Sequence, residues 1–221
     1  MEQKVFQDLV NSIRSEYEQM DYMLGWRFLT SPKSTVSRKT HSVFITLNPG
    51  GSTISHEAQQ ESCEEGSSYL VEKWGSNAPG NAPLQRQIQS LFNNLDWNFE
   101  KVLSGQFVPF RSPSWAELPH RQSALKFGYQ IWSKLLDVVQ PSTVVVMSKS
   151  ELRKPIRSIL GTPQSSTNVG VGWGNITAGL DIYPNCRLVS LPHLSRFQII
   201  DRSASQVGLR ELFPRWGQQE N

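Results

Sequence analysis

The chain lacks the residues and segments that build metal clusters, disulfide frameworks and membrane spans. Its 221 residues include only two cysteines, Cys63 and Cys186, so a four-thiolate zinc or iron–sulfur site is excluded. A small fold held by several disulfides is excluded for the same reason, and a reducing compartment is favoured. No apolar run reaches the length of about 18 residues that a membrane helix needs. Because residues 1–5 also lack the apolar core of a secretory signal, we expect a cytoplasmic protein with no membrane partner.

A strong excess of charge of one sign is missing as well. Lysine and arginine number 22 and the acidic residues 19, so the formal net charge of +3 is too small to identify a nucleic-acid partner by itself. Charged residues make up 19% and apolar residues 38%, with 10 Phe, 7 Trp and 5 Tyr, a composition that excludes a disordered chain. At this length these side chains are enough to bury the core of one domain. We therefore predict a single domain over residues 1–221 and expect a monomer.

Apolar periodicity predicts alternating helices and strands. Spacings of three and four predict helices over residues 5–17, 83–92, 121–139, 151–160 and 203–213. Short β-rich runs predict strands over residues 41–47, 102–108, 143–147 and 187–191. Residues 1–40 are interpreted as an N-terminal helical segment packed on the domain, 52–82 as an irregular insertion, and 170–183 as a glycine-rich hairpin. Because strands alternate with helices, the fold class is predicted as α/β with a mostly parallel central sheet of about four strands.

Polar loops follow three of the predicted strands, at residues 48–51, 109–113 and 192–197. In parallel α/β sheets, ligands bind beyond the carboxyl ends of the strands, so these loops are expected to meet at one edge of the sheet. They carry Asn, Arg, Ser and His side chains, which suit chemistry on a polar substrate. The basic run over residues 149–157 fits either a phosphate clamp at the start of a helix or an ordinary solvated helix face.

The three loops together resemble the uracil-DNA glycosylase superfamily. Residues 48–51 read Asn-Pro-Gly-Gly, and members of the superfamily carry an Asn-Pro-Gly or Asp-Pro-Tyr motif after their first strand. Residues 193–195 read His-Leu-Ser, and members carry a His-Pro-Ser motif near their C-terminus. The resemblance covers roughly residues 40–200. It implies a three-layer α/β/α fold and a reaction that needs no metal and no organic cofactor.

The chain departs from the family pattern at three positions. Thr46 stands where members have Gly, Leu194 where they have Pro, and Gln106 where several have a base-reading Asn. The second loop, residues 106–113, aligns with the family in two registers that differ by one residue. The branches of the superfamily that bind an iron–sulfur cluster need four cysteines and do not fit this chain.

The resemblance implies a role for each matching residue. Asn48 matches the residue that positions the attacking water, and His193 matches the histidine that hydrogen-bonds the departing base. Base contacts are expected from Gly50, Gln106, Phe107 and Phe110. DNA contacts are expected from Arg111, Ser112, Ser195, Arg196 and Phe197. The last of these stands where relatives place an apolar wedge, which fills the gap left by the extruded nucleotide.

These roles predict a DNA glycosylase. Such an enzyme extrudes a pyrimidine from double-stranded DNA and hydrolyses its N-glycosidic bond, leaving an abasic site. Uracil-selective members carry an aromatic side chain where Gly50 stands, so we expect a substrate with a bulky substituent at position 5, such as a 5-hydroxymethylcytosine derivative in phage DNA. That substrate implies antiviral defence. The alternatives are a uracil or mismatch repair glycosylase, a non-catalytic DNA- or nucleotide-binding protein of the same fold, and an enzyme of free nucleosides.

Overall fold

A mixed sheet flanked by helices forms the centre of the protein. The structure is a computed structural model that describes residues 2–53 and 58–218. Its helices, numbered in chain order, are α1 (Glu2–Gln19), α2 (Ser68–Val71), α3 (Pro83–Asn94), α4 (Arg121–Val139), α5 (Lys149–Leu160) and α6 (Gln206–Leu212). Its strands are β1 (Trp26–Arg27), β2 (Ser42–Thr46), β3 (Gln59–Gln60), β4 (Leu103–Gln106), β5 (Thr143–Met147), β6 (Ser165–Trp173), β7 (Ile176–Ile182) and β8 (Arg187–Leu191).

The central sheet has six strands in the order β4-β2-β5-β8-β7-β6. Strands β4, β2, β5 and β8 are parallel, while β7 and β6 form an antiparallel hairpin at the edge. The predicted α/β class with a mostly parallel sheet is confirmed, but the predicted count of about four strands is wrong. The hairpin adds two strands, and it begins at residue 165 rather than at 170. Residues 165–168 are polar and exposed, so no apolar alternation marks them as a strand.

The sheet separates two buried clusters because side chains alternate along each strand. On β2, Val43 and Ile45 belong to the cluster formed with α1, α4 and α5, whereas Phe44 belongs to the cluster formed with α2, α3 and α6. Strand β5 divides its side chains between the two clusters in the same way. The helices therefore lie in two layers, one on each face, and the central strands are buried on both sides.

The outer edge of β4 is covered by the chain that follows α1. Thr30 donates its backbone N–H to the carbonyl of Ser104 at 2.8 Å, and Gln106 donates to the carbonyl of Phe28 at 2.8 Å. The contact is close because residue 105 is glycine, where a Cβ would lie 2.8 Å from the Phe28 oxygen. This pairing uses the free hydrogen-bonding groups of an edge strand.

Two predicted segments differ from the structure. The first is less helical than predicted, and the second is more structured. The α-helix of the predicted N-terminal helical segment (1–40) ends at Gln19, and extended chain follows it. The predicted irregular insertion (52–82) contains β3, which pairs in parallel with β1, and the short helix α2. By contrast, α4, β5 and β8 begin and end at the predicted residues. Among the described residues, no helix combines the length and the apolar character that crossing a bilayer requires.

Gly128 provides a test of how closely α4 packs behind β4. A Cβ on Gly128 would lie 2.4 Å from the carbonyl oxygen of Phe107, a distance that forces the helix or the loop to move. We expect Gly128→Ala to lower the free energy of unfolding by about 1–3 kcal/mol, although alanine favours a helix. Gly170→Ala is the matched control, because its Cβ would meet nothing within 4 Å. Urea unfolding of both variants measures this, and a Gly128→Ala protein as stable as the wild type contradicts the packing.

Candidate functional site

Three parallel strands bring two of the predicted loops to the same edge of the sheet. Strands β2 and β8 both pair with β5, so the loops after β2 and β8 lie on either side of the carboxyl end of β5. Neighbouring strands are about 4.8 Å apart, which separates β2 from β8 by about 10 Å. The direction of the connections also reverses between β2 and β5. The chain leaves β2 toward β4 on one side of the sheet, and it leaves β5 toward the side that holds β8 and the hairpin. Ligands of open α/β sheets bind at such a switch point.

Asn48 lies two residues beyond β2, and its amide group is held by the second loop. Its Nδ2 donates to Ser112 Oγ at 2.8 Å and to the Phe110 carbonyl at 3.4 Å. Ser112 is buried and donates its own hydroxyl to the carbonyl of Ser114 at 2.8 Å. These bonds use the amide nitrogen of Asn48 and leave its oxygen as the end that can accept a hydrogen bond from a water. Ser112, predicted as a DNA contact, is placed to position Asn48 instead.

Arg111, another predicted DNA contact, fastens the first loop. Its Nε donates to the carbonyl of Gly50 at 3.1 Å, and its Nη1 donates to the carbonyl of Leu24 at 3.0 Å. Burial, followed by the charge of Arg27, lowers the pKa of Arg111 from its ordinary value. Gly51, with φ of +139°, lies under this guanidinium, and a Cβ there would come within 1.9 Å of Nη2. A side chain at residue 51 would be strained by this φ and would displace the guanidinium from its present position.

Gly50 differs from its neighbour, because it faces open space. The residue is exposed, and a Cβ built on it would meet nothing within 4 Å. Its backbone bridges to Ser112, so the position of the loop is fixed while the space in front of it is empty of described atoms. A Cβ at this position therefore has room among the described residues.

Gln106 ends β4 directly opposite Thr46. The Thr46 hydroxyl donates to Gln106 Oε1 at 2.6 Å, so the amide oxygen is fixed and the amide nitrogen is the end left for a ligand. The Tyr69 hydroxyl lies near Thr46 and accepts a hydrogen bond from Thr30 at 3.3 Å. Burial raises the pKa of Tyr69 to about 12, so this buried network stays uncharged at neutral pH.

Both predicted aromatic contacts, Phe107 and Phe110, are completely buried. The ring of Phe110 stacks on Tyr22 at 4.1 Å and on Phe127 at 5.6 Å between centroids. Phe107 packs against Gly128 of α4. The structure therefore places both rings in the core behind the second loop rather than on an open surface, and a base-stacking role for them would require the loop to move.

His193 lies two residues beyond β8, and Ser195 orients its ring. The Ser195 hydroxyl is 2.7 Å from Nδ1, and the Ser195 backbone N–H donates to the same atom at 3.3 Å. Because Nδ1 accepts, the ring proton of the neutral imidazole is on Nε2. Burial lowers the pKa of His193 from its ordinary value, while the charge of Glu151 acts in the opposite direction. The side chain is therefore a neutral N–H donor near pH 7.

The wedge candidate Phe197 is half-buried beside the hairpin tip. Its ring lies 6.0 Å from that of Trp173, nearly perpendicular to it, and the exposed Arg196 guanidinium lies 5.5 Å from the Phe197 ring centre. The sequence places Trp173 in a loop that could line the pocket, but it does not predict the contact with Phe197. The Gly-Trp-Gly-Asn sequence of residues 172–175 is the signal of a tight hairpin turn that carries this ring.

The basic run over residues 149–157 mainly docks the hairpin on α5. Lys149 Nζ donates to Thr177 Oγ1 at 2.7 Å. Arg153 forms two hydrogen bonds to the buried Asp181 carboxylate, at 2.7 and 2.9 Å. A groove of about 650 Å³ opens along this face of α5, and its wall includes the basic residues Lys149, Arg153, Lys154 and Arg157.

Neither a metal site among the described residues nor a match to a protein-family model adds to these observations. Among residues 2–53 and 58–218, no three His, Cys, Asp or Glu side chains come together in a way that could hold a metal ion. No protein-family model and no curated protein sequence matches the chain.

Titration of His193 tests the assigned state of the ring. By NMR, we expect the His193 signals to titrate with a midpoint below the ordinary value of 6.5, because burial disfavours the charged ring. Glu151→Gln is expected to move the midpoint lower still, since the carboxylate that favours the imidazolium is lost. A midpoint above 6.5, or an upward shift in the variant, contradicts this environment.

Proposed function

We propose that the protein is a DNA glycosylase that hydrolyses the N-glycosidic bond of a pyrimidine nucleotide extruded from double-stranded DNA. One observation carries the proposal. Asn48 and His193 flank the end of β5, with a free amide oxygen on one side and a neutral N–H donor on the other. These are the two groups that such a reaction needs at opposite ends of the scissile bond.

The chemistry follows from charge development. As the C–N bond breaks, positive charge grows on the sugar and negative charge on the base. The Asn48 oxygen accepts a hydrogen bond from a water and directs the water oxygen at the sugar carbon, after which the water proton is released to solvent. A neutral amide is a weak base, so its contribution is positioning. The Nε2–H of His193 donates to the base oxygen as it becomes anionic, and one such donor contributes about 10²–10³ in rate.

Gly50 and Gln106 support a modified pyrimidine as the substrate. The open space at Gly50 accommodates a substituent at position 5 of the base. The amide nitrogen of Gln106, freed by the bond from Thr46 to its oxygen, meets an acceptor on the base, which is N3 of a cytosine or O4 of a uracil. A 5-hydroxymethylcytosine derivative of phage DNA satisfies both conditions, and its removal would serve antiviral defence.

Substitution of the two proposed catalytic residues tests the reaction. We expect His193→Ala to slow base release by about 10²–10³-fold and Asn48→Ala to remove it, because each loses a transition-state contact. Mass spectrometry of bases released from a panel of modified DNAs measures this. DNA binding of both variants should match the wild type.

The same experiment separates the alternatives. A wild-type protein that binds DNA but releases no base is a non-catalytic binder. Release from uracil duplexes alone identifies a repair glycosylase and rejects the modified base. Cleavage of free nucleosides without affinity for DNA identifies a nucleoside enzyme.

The open space at Gly50 gives a prediction about specificity. Gly50→Tyr is expected to reduce release of 5-substituted pyrimidines at least about 10-fold relative to unsubstituted ones, because the ring would fill the space that the substituent needs. Gly50→Ala is the control and should leave the ratio unchanged, since a single methyl group meets no described atom within 4 Å. Competition between duplexes carrying each base measures the ratio, and an unchanged ratio in Gly50→Tyr places the substituent elsewhere.

A further inference from the structure

We propose that the tip of the β6–β7 hairpin is a duplex-binding element, in which Trp173 acts beside Phe197 on the DNA that flanks the extruded nucleotide. The inference rests on the proposed function and extends it to a residue to which the resemblance assigns no role. We call the four side chains involved, Trp173, Phe197, Arg196 and Arg202, the arginine–aromatic cluster.

The register of the sheet carries the hairpin tip past the ends of the parallel strands. Gly179 of β7 pairs with Ser190, near the carboxyl end of β8. The first residue of β7, Ile176, lies three positions further out, a distance of about 10 Å. Trp173 pairs with Ile176 across the turn, so it lies at the level of the loop that carries His193.

The tip is held rigidly against the body of the protein. Gly172, with φ of +66°, packs so closely that a Cβ would lie 2.0 Å from the carbonyl oxygen of Ala204. Gly208 of α6 contacts the carbonyl of Gly170 equally closely, with its Cβ position 2.0 Å from that oxygen. A surface that is fixed before binding loses little conformational entropy when DNA arrives.

Within the cluster, cations lie over aromatic rings. The Arg202 guanidinium is 4.7 Å from the centre of the Trp173 ring, and its Nε donates to the Gly172 carbonyl at 3.1 Å. Phe197 meets the Trp173 ring edge-on and carries Arg196 over its own face. Both arginines are exposed, and neither forms an ion pair with a described acidic residue.

This chemistry fits duplex DNA. Stacked guanidinium groups keep donors free for phosphate oxygens, and half-exposed rings provide faces on which bases stack. The Phe197 backbone N–H donates to the His193 carbonyl at 2.9 Å, which ties the cluster directly to the site of base departure. Extrusion of a nucleotide leaves a gap and an unpaired partner base only in a duplex. The rings of Trp173 and Phe197 are therefore expected to contact this gap or this unpaired base, which only double-stranded DNA provides.

Fluorescence anisotropy with a labelled oligonucleotide carrying a tetrahydrofuran abasic analogue tests the proposal, in duplex and in single-stranded form. Trp173→Ala is expected to weaken duplex binding about 10-fold and single-strand binding much less, because one stacking contact is lost. Trp97→Ala is the matched control, since this half-buried tryptophan follows α3 at the opposite edge of the sheet. Equal weakening for both forms, or no weakening, overturns the proposal.

A second pair of variants keeps the test independent of folding effects at Trp173. The slope of the logarithm of the duplex-binding constant against the logarithm of the salt concentration should fall by up to about 2 when Arg196→Gln and Arg202→Gln are combined. Lys101→Gln, at the opposite edge of the sheet, should not change this slope. An unchanged slope in the arginine variant counts against the cluster. Because binding is measured without catalysis, absence of base release from every DNA rejects the proposed function but leaves this test intact.

Discussion

The candidate site depends on the parallel pairing of β5 with β2 and β8. This ladder sets Asn48 and His193, each two residues beyond a neighbouring strand, on either side of the same central strand. The central strands are buried on both faces, so a slip of one residue would exchange the two clusters of core side chains and is strongly disfavoured. Packing of the whole core thus fixes the position of two polar groups that barely contribute to it.

Three residues expected to contact DNA also hold neighbouring groups of the candidate site in place. Ser112 holds the Asn48 amide, Arg111 fastens the Gly50 loop, and Ser195 fixes the tautomer of His193. The groups they orient are uncharged, and the neighbouring Tyr69 is kept neutral by burial. A preorganised neutral site suits a reaction in which charge develops only in the transition state, since no resident charge has to be compensated beforehand.

The sequence predicts the parts of this architecture that depend on local pattern. Strand β5 matches the prediction because its apolar run reflects burial on both faces. Strand β8 also matches, because Leu188, Val189 and Leu191 are apolar and Pro192 ends the run. The loops carrying Asn48 and His193 follow from the ends of the runs in β2 and β8 and from the motif resemblance. The bond between Asn48 and Ser112 could not be predicted, since it joins residues 64 positions apart. The polar start of β6 was missed because an exposed edge strand needs no apolar alternation.

The hairpin shows how a basic sequence run can serve structure rather than ligand binding. Residues 149–157 allowed two interpretations, a phosphate clamp or a solvated face, and Arg153 fits neither. Burial alone would raise the pKa of Asp181, but hydrogen bonds from Arg153 and Ser166 outweigh it and lower the pKa, so the carboxylate stays ionised at neutral pH. The ion pair joins α5 to β7 and so fastens the hairpin to this helix. At the hairpin tip the cations are placed differently, since Arg196 and Arg202 rest on aromatic rings and have no acidic partner among the described residues.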